Sequence, residues 1–149
     1  MPLNIAELAV SSPDIEAHGP IDPRHSADGD NIAPRVHVTG VPEGAAELAI
    51  VLHDPDAPLP HGFTHWTVYG VPAVEGEVDL SAARVGPNGI GQQTYSGPQP
   101  PAGHGVHHYY TWVYALDTTV DGEPSREDFL ARYGDHVLEQ NRFVATFAR

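Results

Sequence analysis

The chain has 149 residues, a formal net charge of −13 at pH 7 and no cysteine. Its length suits one domain with a true core, so residues 1–149 are read as a single domain. Its seven basic residues are all arginine, too few to form the basic patches that nucleic acid or an anionic membrane surface requires. Without cysteine there are no disulfides, thiolate metal sites or cysteine nucleophiles. No apolar run approaches the ~18 residues of a membrane span. Met1-Pro2-Leu3-Asn4 opens without the basic and apolar regions of a signal peptide, which predicts a cytoplasmic protein with no integral membrane association.

The predicted elements are short and mostly strands. Leu3 to Val10 partly alternates. Ser11 to Ala33, rich in Pro, Asp and Gly, reads as an ordered excursion with room for one short strand. Arg35 to Thr39 alternates and stops at Gly40. Ala46 to His53 is almost continuously apolar, as a strand buried on both faces would be. Phe63 to Val71 and Val106 to Leu116 are rich in aromatic and β-branched residues, which favour strands. Ser125 with Asp128 three residues later signals a helix start; Phe129, Leu130 and Tyr133 supply its apolar face, and Gly134 ends it. A second helical turn is expected near Asp135 to Leu138, and Phe143 to Phe147 could close a sheet. Fifteen glycines and fifteen prolines punctuate these runs. The pattern predicts a mainly β protein, an antiparallel Greek-key-like β-sandwich with one or two short helices near the C-terminus.

Candidate chemistry gathers where strands meet turns. His53 and five further histidines, His61, His65, His104, His107 and His108, fall beside Pro/Gly-rich segments, where binding groups usually sit. In Asp54-Pro55-Asp56-Ala57-Pro58 an apolar strand runs into two carboxylates fixed by proline. Spacing alone leaves open whether they cap the strand or face a ligand. Strict alternation puts His65, Thr67 and Tyr69 on one face of their strand and Trp66 and Val68 on the other, and separates His107 and Tyr109 from His108 and Tyr110. Imidazole N–H and tyrosine O–H are suitable donors to phosphate or carboxylate oxygens, and a nearby Asp54 would fix a histidine tautomer. The histidine spacings do not match His-Glu-x-x-His, so no metal site is assigned. No serine stands in a Gly-x-Ser-x-Gly context, so no catalytic residue is assigned.

Taken in order, four segments resemble the phosphatidylethanolamine-binding protein family and, within it, the bacterial Raf-kinase-inhibitor-like branch. These are Asp54-Pro55-Asp56-Ala57-Pro58, His65-Trp66, Tyr95-x-Gly97-Pro98-x-Pro100-Pro101-x-Gly103 and His107-x-Tyr109. Weaker similarity reaches Asp28-Gly29-Asp30-Asn31, Gly40-Val41-Pro42-Glu43-Gly44 and Tyr114-Ala115-Leu116-Asp117. The resemblance implies a β-sandwich with a pocket for an anionic group (phosphate, acetate or a phospholipid head group). It implies that Asp54, His65, His107 and Tyr109 are the pocket's polar groups, that Pro58, Gly97 and Pro98 supply walls and backbone donors, and that Asp56, Trp66 and His108 support them. It further implies a homodimer without cofactor. Two other roles stay open, regulation of a protein partner such as a kinase through the pocket rim and, less favoured, hydrolase or lyase activity. Three departures stand out: His108 where the family usually has Arg, Gln99 where bacterial relatives often have Cys, and Phe63 where Trp is frequent.

Overall fold

The computed structural model describes residues 5–149, so Leu3 and Asn4 of the first expected strand lie outside the described residues. Eight strands form: β1 (Ala9–Ser11), β2 (His37–Thr39), β3 (Glu47–Asp54), β4 (Phe63–Val71), β5 (Gly76–Glu77), β6 (Arg84–Val85), β7 (His107–Leu116) and β8 (Val137–Phe147). They pair antiparallel into a three-stranded sheet, β1-β2-β5, and a five-stranded sheet, β6-β4-β3-β7-β8. The protein is therefore the mainly β, antiparallel fold that the turn-punctuated strand pattern predicts.

β3 is buried at every position, which its continuous apolar run requires. Leu48, Ile50 and Leu52 enter the larger core, which also takes Val36 and Val38 from around β2 and Leu8 near β1. On the opposite face Ala49 and Val51 meet Tyr69, Tyr114, Phe129 and Tyr133. Phe129 and Tyr133 come from α1 (Arg126–Tyr133), whose Ser125 cap accepts the Asp128 N–H at 3.2 Å. Fully burying an aromatic ring of this kind contributes about 3 kcal/mol. Gly134 opens a 3₁₀ turn to His136, after which β8 begins at once. The expected turn near Asp135 therefore exists but is shorter. β8 is a long edge strand, and the chain near Gly19 covers part of it: His18 N–H donates to Val144 O and Ile21 N–H to Thr146 O. Such cover blunts an edge that would otherwise template aggregation.

Strict alternation fails twice along β4. Opposite β3, the register slips once between Leu48 and Ile50 and once between Leu52 and His53. The first extra residue falls at Gly70, whose φ of 75° is open to glycine at little cost. The second falls at His65, between Trp66, which pairs with Leu52, and Thr64, which pairs with His53. This bulge corrects the expected facing of His65. It leaves the face of Thr67 and Tyr69 and turns to the face that carries Trp66, Val68 and Tyr109, as bulges beside sites commonly do.

Candidate functional site

At one end of the large sheet, on the larger-core face, lies a cavity of about 370 Å³. Asp54, His65, His107 and Tyr109 supply its polar floor, and Pro58, Phe63, Gly97 and Pro100 are among its walls. Three neighbouring strands bring the floor together. Asp54 ends β3, His65 is the bulge residue of β4, and His107 and Tyr109 open β7 on one face. The His65 and Tyr109 rings meet edge to face at 5.3 Å, and Phe63 closes on His65 at 4.7 Å.

Hydrogen bonding fixes three of the four floor groups, Asp54, His65 and His107. Asp54 Oδ1 accepts the Asp56 N–H at 2.7 Å, and Oδ2 accepts His107 Nδ1–H at 2.6 Å. Both carboxylate oxygens are thus committed, and Asp54, 2% exposed, acts by orienting His107. The other ring nitrogen of His107, Nε2, meets His104 Nδ1 at 2.6 Å. His65 Nδ1 faces Ser96 O at 2.7 Å. A carbonyl only accepts, so Nδ1 carries the hydrogen and Nε2 is the nitrogen left for the cavity. Burial lowers the His65 pKa, against the opposing pull of the Ser96 carbonyl and Asp54. Burial likewise raises the Tyr109 pKa, keeping its phenol protonated. Among the described residues no protein group bonds the Tyr109 hydroxyl, yet no buried side-chain oxygen or nitrogen lacks a partner. That hydroxyl therefore opens into the cavity.

The loop over the floor is pinned from a distance in sequence. Asn31 Oδ1 accepts the Gly97 N–H at 2.7 Å, Asn31 Nδ2 donates to Tyr95 O at 3.2 Å, and Tyr95 Oη donates to His25 O at 2.6 Å. Asn31 does this from a φ of 55°, which asparagine tolerates. A Cβ on Gly97 would collide with the His25 carbonyl, so only glycine permits this approach. These bonds correct the expectation that Gly97 and Pro98 supply donors. The Gly97 N–H is spent on Asn31, proline has no N–H, and Pro98 is buried behind the lining with its carbonyl accepting from Ala27 at 3.0 Å. Gly97 remains a wall.

The three expected supporting residues stand outside the lining. Trp66 packs edge to face on Tyr95 at 5.5 Å within the core. Asp56 Oδ2 accepts both the backbone N–H and Nδ1–H of His108, each at 2.7 Å. Burial works to raise the Asp56 pKa, but these bonds outweigh it and the pKa is lowered. His104, seen in the sequence only as one of a cluster, proves to be the partner of His107. His53, grouped with the others by position, lies on the opposite sheet face.

A family model described as phosphatidylethanolamine-binding protein matches residues 11–148. The chain belongs to this family. Among its relatives is a UPF0098 protein of Pyrococcus abyssi, 36% identical over 87% of this chain and 79% of the relative. LppC of Mycobacterium tuberculosis, called a lipoprotein by name, is 38% identical over 94% of this chain and 72% of its own length. The crystal structure of Escherichia coli YbcL, described as a new member of the mammalian PEBP family, superposes with a TM-score of 0.87 at 29% identity, covering 97% of this chain and 99% of YbcL. A homologue from Chlamydia trachomatis gives 0.86 at 27% identity, over 98% and 99%. In this chain His108 bonds Asp56, and Gln99 donates to Asp28 at 2.9 Å. Among the described residues no helix is long and apolar enough to cross a membrane.

Proposed function

We propose that the cavity binds a small anionic group, whether phosphate, carboxylate or a phospholipid head group, and that the protein is a binding module rather than an enzyme. The observation that carries this reading is the Tyr109 hydroxyl, unpartnered at the floor of a cavity and flanked by two oriented imidazoles. A polar atom that the protein leaves unbonded at the floor of a cavity is a mark of a site. Pro58, Pro100 and Phe63 would shield the anion from water and strengthen each bond to it. Titrating the protein with phosphate and with phosphoethanolamine, while following the imidazole resonances of His65 and His107, tests the reading. Both are expected to shift with saturation, and unmoved signals would overturn it.

A second reading, regulation of a protein partner through the rim, is favoured by one observation. Leu59 and Ile90 border the cavity while 54% and 64% exposed, and such residues in a cluster mark contact surfaces. Serine at both positions would abolish partner binding but leave the phosphate shifts in place. A homodimer and a cytoplasmic location complete the proposal. Sedimentation of the purified chain and cell fractionation test them.

A further inference from the structure

We propose that the cavity takes up its anion together with one proton, held on His65 Nε2; this rests on the anion-site reading above. Each hydrogen bond around the floor has a defined direction. The hydrogens of His107 Nδ1 and of the Asp56 amide both point at Asp54. The His65 Nδ1 hydrogen points at Ser96 O, and the amides of Ser96 and Gly97 donate to His65 O and Asn31 Oδ1. His107 Nε2 is occupied by His104 Nδ1. Pro58, Pro100 and Pro101 have no N–H to offer. What remains for a ligand is the hydroxyls of Tyr109 and Ser96 and the amides of Ala57 and Gln99 at the rim, which no protein group bonds among the described residues, together with the bare His65 Nε2.

A phosphate, sulfate or carboxylate brings only acceptors. Against the empty cavity it would meet donors at the hydroxyls and rim amides but, at His65 on the floor, another acceptor. No arginine lines the cavity, and the chain's net charge of −13 opposes the anion from further away. One proton from solvent resolves the mismatch. It binds Nε2, nothing leaves, Nδ1–H keeps its bond to Ser96, and the ring becomes a cationic donor to the ligand.

Other proton acceptors are less suited. His104 Nδ1 and His107 Nε2 face each other at 2.6 Å, so hydrogens on both atoms would set N–H against N–H, and His104 does not line the cavity. Tyr109 holds its proton throughout. The charged and titratable groups around His65 are Asp54 from β3, His107 and Tyr109 from β7, and His104 from the preceding loop, with Asp56 and His108 further out. Of these, Asp54 favours a proton on His65 and His107 opposes it. Because burial holds the empty ring neutral, the proton arrives with the anion.

Sulfate carries no proton of its own near neutral pH and is the probe. Calorimetric titration of the full chain, in buffers of different ionisation enthalpy between about pH 6.5 and 8.5, is expected to show about one proton taken up per sulfate. Affinity should then fall about tenfold per pH unit above pH 7. His65→Gln, with a fixed amide donor, should bind sulfate without pH dependence. In the wild type, the His65 Nε2 nitrogen resonance should move from the lone-pair to the protonated position on saturation. This last readout decides the matter if the variant does not fold. Sulfate binding without proton uptake would overturn the proposal and leave the anion site standing. A pH slope that persists in His65→Gln would place the proton elsewhere and also overturn it. Silence toward both sulfate and phosphate at every pH would sink the two together.

Discussion

Two buried histidines sit almost back to back at one end of the large sheet, and their surroundings differ. His53, next to last in β3, faces the helix side, 6% exposed, with Nδ1 on Thr64 Oγ1 at 3.0 Å, and burial with Arg126 nearby lowers its pKa to about 4. His65, one residue past Thr64, is 5% exposed and also held neutral by burial, yet the bulge turns it to the cavity. Burial and a perturbed pKa are common to both. What separates them is that Gly62 packs against His53 Nε2 and Thr64 meets its Nδ1, whereas His65 lines the cavity beside an unbonded hydroxyl. A perturbed histidine marks a site only when unfilled space adjoins it.

The sharpest break between the two sides should come from removing their supports. Phe129, fully buried on the helix side between Tyr69, Tyr114 and Tyr133, should cost about 4 kcal/mol when replaced by alanine. Phosphate affinity of the folded fraction should not change. Asp54→Ala leaves the buried His107 Nδ1–H and the Asp56 amide without their acceptor and should cost about 3 kcal/mol. Here anion binding should weaken as well, because the carboxylate that favours a proton on His65 is gone from the floor. Denaturant unfolding and phosphate titration on both variants check the pair. Equal damage to binding by both would erase the distinction between the two faces.

How far this contrast could be read beforehand depends on what kind of signal carries it. β4 spans Phe63–Val71, as its aromatic and β-branched run predicts. The central place of β3 follows from the run Ala46 to His53, and α1 from the Ser125 cap, because these are local composition signals. β8 runs back to Val137, beyond the expected Phe143, since Glu139, Gln140, Asn141 and Arg142 are half-buried or exposed and show no apolar periodicity. β5 and β6 are two residues each, too short for any pattern. The floor residues Asp54, His65, His107 and Tyr109 were legible as a set through family resemblance. The side on which His65 faces was not, because a bulge is an event of pairing register and not of sequence period. Nor was the loss of the Gly97 donor, which depends on Asn31, distant in sequence.

A smaller effect should isolate the hydroxyl. Tyr109→Phe removes an oxygen that bonds no protein group among the described residues. Stability should therefore change by less than about 0.5 kcal/mol, while anion affinity falls about tenfold, the worth of one hydrogen bond to a charged ligand. A matching substitution on the helix side, Tyr69→Phe, removes a hydroxyl that donates to Pro124 O at 2.8 Å. Its cost should appear in stability, about 1 kcal/mol, and not in binding. Reversal of that pattern would put the ligand outside the cavity.

The smallest effect concerns acid. The folded pKa of His53 is about 4, below the ordinary value of about 6.5 expected in the unfolded chain. As pH falls through 6.5 the unfolded chain takes this proton first, so the contribution of neutral His53 is complete above that pH and is lost progressively toward pH 4. His65 has the same sign, since its folded pKa is also lowered. The twenty carboxylates titrate in the same region, so the useful quantity is a difference. The stability gap between wild type and His53→Gln should narrow between about pH 6.5 and 4.5. It should narrow equally with and without saturating phosphate, because His53 faces away from the cavity. The gap between wild type and His65→Gln should instead respond to phosphate, since ligand bound to the folded state adds its own stabilisation and only one of those two proteins can place a proton beside it. Unfolding curves at matched pH, with and without phosphate, separate the two histidines by that response alone.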